Sequence, residues 1–83
     1  MIIKEWSGLL VINGVEASIN AYIEQSGDGL IKWYGMGCLD KSKDIMVLRN
    51  EFSISTEIGE LDIIRIGQSD NTFSFCGKGD PQF

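Results

Sequence analysis

Histidine is absent from the chain, proline occurs once and cysteine twice. Without histidine there is no Ser/His or Cys/His triad, no imidazole metal site, and no side chain that ordinarily titrates near neutrality. Cations are scarce as well: 7 Lys plus Arg stand against 12 Asp plus Glu, a formal net charge of −5. Affinity for nucleic acid rests mainly on neutralising phosphates with cationic side chains, so direct nucleic-acid binding is not expected. Long apolar runs are missing too. Lys4, Glu5 and Asn13 interrupt the N-terminal stretch MIIKEWSGLLVING, which predicts neither an export signal nor a membrane span and places the protein in the cytoplasm.

Cys38 and Cys76 are far apart and in no CxxC spacing, so neither a zinc nor a redox motif is expected. They read as two small, half-buried hydrophobes in a reducing compartment, with a disulfide as the alternative. No metal or cofactor is called for. Size adds a further exclusion. With 83 residues the chain forms one domain that buries only roughly 60% of its unfolded surface, so a deep substrate cleft would compete with the core. An enzyme is not expected.

What is present is an apolar fraction of 43% and ten glycines, a composition suited to a folded β-rich domain. Period-two alternation is strongest at Val15 to Glu24, where Val15, Ala17, Ile19, Ala21 and Ile23 share one face. Asn13-Gly14 precedes this stretch and predicts a two-residue hairpin turn. That turn sets Ile12 opposite Val15, Leu10 opposite Ala17, Gly8 opposite Ile19 and Trp6 opposite Ala21, all on the apolar face. Further strands are expected over Leu30 to Leu39, Ile45 to Ser55, Glu60 to Ile66 and Thr72 to Gly77. The fold class is therefore all-β, with about six antiparallel strands in an up-and-down meander forming a small barrel or a two-sheet sandwich. Residues 1–77 make the single domain and 78–83 an irregular tail. The echo Trp6-Ser7-Gly8, Trp33-Tyr34-Gly35 and Phe75-Cys76-Gly77 has a structural reading: a strand glycine permits sharp coiling and a large ring covers it.

Few residues carry chemistry. Gly35-Met36-Gly37 and Gly77-Lys78-Gly79 match no phosphate-binding fingerprint and open no helix. Glu57, Glu60 and Asp62 gather at a turn, with Glu51 near across a hairpin, but a domain of this size offers no cleft for a catalytic carboxylate pair. Asp40 and Asp44 have lysines between them and form no calcium loop. Arg49 and Arg65 each lie inside an apolar strand. Either they pair with acids such as Glu51, Glu60 or Asp62, or they anchor an anionic ligand with help from Lys32 and a stacking ring, Trp33 or Tyr34.

The apolar surplus points elsewhere. With Trp6, Leu10 and Ile12 inward, Ile3, Leu9 and Val11 face outward on the first strand, as do Ile45 and Val47 on the fourth. Small monomers seldom leave such a set exposed. The reading that follows is a non-enzymatic protein that adapts or inhibits a protein partner through this apolar face and its acidic rim, or self-associates there. The alternative is a small-ligand binder sequestering an anionic metabolite or nucleotide at a rim or subunit interface, since six strands enclose no ligand cavity.

Overall fold

The computed structural model describes residues 1–12, 14–39, 53–67 and 71–83. Its elements are β1 (Ile2–Ile12), β2 (Val15–Gln25), β3 (Ile31–Leu39), β4 (Ser53–Thr56), β5 (Gly59–Gly67) and β6 (Thr72–Lys78). All pairings are antiparallel and form one sheet of order β1-β2-β3-β6-β5-β4. Each half is an up-and-down meander, β1-β2-β3 and β4-β5-β6, and the halves join between β3 and β6. The sheet curls into a half-barrel that brings its edge strands, β1 and β4, near one another. Of the two expected architectures it is thus the barrel-like one. The fourth expected strand falls mostly outside the described residues, which begin again at Ser53.

The first hairpin shows how sequence becomes register. Gly14 has φ +82°, a left-handed conformation that glycine adopts without strain. Ile12 then faces Val15, Leu10 faces Ala17, Gly8 faces Ile19 and Trp6 faces Ala21, as the alternation predicts. Two strands of 11 residues at about 3.3 Å per residue account for the long axis of a molecule measuring 41 × 22 × 21 Å.

The concave side holds the core: Leu10, Ile12, Ala17, Ile19, Ala21, Ile23, Trp33, Leu39, Ile54, Ile58, Leu61, Phe73 and Phe75. Its rings are accommodated by glycines on the neighbouring strand. Gly37 pairs with Phe73 and Gly35 with Phe75, while Gly77 lies under the Trp33 indole. Gly8 alone is covered from its own strand, by Trp6. The ring-and-glycine echo in the sequence is therefore a packing device.

Two further features set the faces. In β5 the ladder shifts between Ile63, opposite Phe75, and Arg65, opposite Ser74. Ile64 is the extra residue of this bulge and is exposed, which lets Ile63 and Ile66 pack on the core while Arg65 turns outward. The tail after Lys78 has no regular structure, yet it is docked. Gln82 donates its backbone N–H to the Ile58 carbonyl (2.8 Å), the Trp33 indole N–H donates to the Gly79 carbonyl (2.9 Å), and the Phe83 ring packs against Trp6 and Trp33.

Candidate functional site

Alternation on β1 and β2 sends Glu5, Ser7, Leu9 and Val11, then Glu16, Ser18, Asn20, Tyr22 and Glu24, to the outer side. The pairing continues these residues as rows across the sheet. One row reads Ser7, Asn20, Met36, Ser74, Arg65, and the next Glu5, Tyr22, Tyr34, Cys76, Asp62. Leu9 stands beside Ser18, and Val11 beside Glu16. Leu9 is 60% exposed and Val11 66%. Ile3, 47% exposed, sits where the β1 register shifts between Ile2 and Lys4. Ile45 and Val47 lie outside the described residues.

Met36 joins this face and is 54% exposed, although no alternation in the sequence marks it. Leu30, just before β3, and Ile31, its first residue, are exposed as well. On β3 the inward positions below Trp33 are the glycines Gly35 and Gly37, so no hydrophobic alternation marked which side faced out. Both thiols are free and lie on this outer side, Cys38 exposed and Cys76 half-buried.

The residues considered for an anionic ligand do not gather in one place. Arg49 is outside the described residues. Trp33 is 3% exposed and packs edge-on to Phe75, so its ring belongs to the core. Lys32 and Tyr34 are engaged by Glu24: the Tyr34 hydroxyl donates to Glu24 Oε2 (2.7 Å), and Lys32 Nζ is 3.8 Å from Glu24 Oε1. Arg65 faces outward in another row, and among the described residues it forms no ion pair.

The Tyr34 hydrogen bond holds the Glu24 carboxyl below its ordinary pKa, with Lys32 and the N-terminal ammonium adding to the effect, and raises the Tyr34 phenol above its own. A carboxyl whose folded pKa is lowered contributes stability above its unfolded pKa and loses it as pH falls through the folded value. In Tyr34→Phe, the Glu24 carboxyl is expected to titrate closer to the ordinary carboxylate range. The wild type's stability advantage over that variant should be present at neutral pH and vanish in acid. Side-chain carboxyl NMR across the acid range, with melts at each pH, checks both points.

At the β2–β3 turn, Asp28 accepts from the Ser26 hydroxyl and from the Leu30 N–H (3.1 Å), which keeps its carboxyl below the usual range. These bonds serve the turn. Among the described residues, no three His, Cys, Asp or Glu side chains come together as a metal site, and no helix is long and apolar enough to cross a membrane.

Fold and face together define a small antiparallel β half-barrel whose core fills its concave side and whose outward side carries aliphatic, thioether and carboxylate groups. Set beside protein-family models, curated proteins and solved structures, the chain matches none.

Proposed function

We propose that this chain is a non-enzymatic binding protein that adapts or inhibits another protein, docking on a basic surface through the outward aliphatic residues of β1. The observation that carries the reading is the exposure of Leu9 and Val11, 60% and 66%, with Val11 paired to Glu16 and Leu9 two rows from Glu5. The core already fills the concave side, so this apolar area serves nothing inside the fold. Interfaces combine such an apolar centre with a polar rim.

Charge selects the partner. The outward residues of β1 and β2 include Glu5 and Glu16, which form no ion pair among the described residues, and Glu24, which Lys32 of β3 partly neutralises, in a chain of net charge −5. A second copy would bring like charge to like charge, which is costly at an interface, whereas a basic surface is attracted and oriented. Self-association is therefore the less favoured use of this face. Free thiols suit the reducing cytoplasm as its setting.

Leu9→Glu and Val11→Glu replace exposed side chains and are expected to leave the melting temperature nearly unchanged. Each should weaken capture of the partner by about a hundredfold, the scale of losing a central apolar anchor. Immobilised wild type and variants exposed to the same extract, with melting curves on each, make the comparison. Unchanged capture by both variants, or their unfolding, would overturn the proposal.

A further inference from the structure

The bulge at Ile64 turns Arg65 outward, where it has no ion-pair partner among the described residues. Arg65 lies on the outward side opposite Ser74, and no carboxylate of the described residues is within ion-pair distance of it. Of the acids expected to neutralise it, Glu60 and Asp62 form no ion pair with it, and Asp62, on the same strand, accepts a hydrogen bond from the Ser53 hydroxyl; Glu51 lies outside the described residues. The guanidinium borders a shallow depression of about 240 Å³ lined by Met36, Arg65, Gly67, Thr72, Phe73 and Ser74. A second depression of about 190 Å³ adjoins it across Met36 and Thr72, and is lined otherwise by Ser18, Asn20, Gly37 and Cys38. One end thus offers the planar fork of N–H donors of Arg65 beside the Ser74 hydroxyl, while the rest of the lining is uncharged, with the Met36 thioether between two hollows.

We infer that this depression binds a small organic oxyanion, a phosphate or carboxylate compound, with Arg65 gripping the anionic group and the organic body lying over Met36 toward Asn20. Guanidinium groups bind carboxylate and phosphate in bidentate fashion. The volumes suit a compound smaller than a drug-sized ligand. Arg65 and Ser74, which grip the anionic group, lie on β5 and β6, across β2 and β3 from the aliphatic residues of β1, so anion binding does not depend on the docking surface.

Amide-resolved NMR titration of the full chain with phenyl phosphate, benzoate and inorganic phosphate tests the assignment. Saturable shifts are expected at Met36, Gly67, Thr72 and Ser74 with at least one of the two ring-bearing probes, and the tighter of the two identifies the oxyanion. Inorganic phosphate, which lacks the organic body, should bind more weakly than phenyl phosphate. Arg65→Gln should weaken binding by about tenfold or more, the scale of a charge-assisted hydrogen bond, and Lys78→Gln should leave it unchanged. Arg65→Lys keeps the charge and loses the fork, so its affinity should fall between; it carries the test if the glutamine variant does not fold. Absence of saturable shifts with both ring-bearing probes, shifts centred elsewhere, or equal weakening by Lys78→Gln would overturn the inference.

Discussion

A single methyl group added at Gly35 or at Gly77 is expected to unfold the protein. A Cβ at Gly35 would overlap the backbone carbonyl of Asn20 and come within 2.6 Å of Phe75 Cζ. At Gly77 it would overlap the fused edge of the Trp33 indole. Neither obstacle yields easily, because one is main chain in the β2–β3 ladder and the other is a buried ring fixed by its bond to the Gly79 carbonyl. Overpacking costs about 1–3 kcal/mol where neighbours can shift, and more where they cannot. A domain of this size has a total stability of only about 4–12 kcal/mol. Gly35→Ala and Gly77→Ala should therefore show no cooperative melt by far-ultraviolet circular dichroism. Gly27→Ala is the control, since nothing lies within 4 Å of its added Cβ; it should melt like the wild type. A normal melt for Gly35→Ala would mean that β2 and β3 do not pack as described.

The tail supplies the second large effect. Phe83 is half-buried, with ring centroids 6.5 Å from Trp6 and 5.9 Å from Trp33. Full truncation of a core phenylalanine costs about 3–5 kcal/mol. For a half-buried ring we expect about 2 kcal/mol from Phe83→Ala, which in a domain of this size lowers Tm by about 10 °C. Tryptophan emission should shift to the red at the same time, because Trp6 loses a neighbour that shields it. An unchanged melt and spectrum would show that residues 79–83 do not dock. Irregular backbone here is not loose chain: the segment is held by the carbonyl of Ile58 and the indole of Trp33.

What the sequence reveals, and what it hides, follows from the range of each interaction. The β1–β2 register is legible in full because turn chemistry at Gly14 and the alternation of apolar residues are local and agree. Leu9 and Val11 follow from that register, and their exposure is the part of the candidate site that was foreseeable. The union of β3 with β6 is not legible, since it depends on rings meeting glycines about 40 positions away, as Gly35 meets Phe75, and no periodicity records such pairs. Met36 was hidden for the same reason: its strand's inward positions are glycine, and alternation of hydrophobicity fails there.

Ile58 is a different case. It is an apolar residue in a turn, 2% exposed, and only its bond to the tail and the core beneath explain it. Trp33 and Tyr34 are consecutive on a strand and so point to opposite faces. The ring of Trp33 went to the core, and that of Tyr34 to the outside with Tyr22. The bulge at Ile64 decides the side of Arg65, and a bulge in a run of three isoleucines and an arginine leaves no local signature.

The proposal that the outward face of β1 docks on a basic partner is tested most directly by native mass spectrometry of the protein taken from its source under low salt. A heterologous complex containing one 9.2 kDa chain and a partner of net positive charge is expected, dissociating as ionic strength rises, with a monomer once the partner is removed. A homodimer that persists at low concentration, or a monomer alone under every condition, would contradict it.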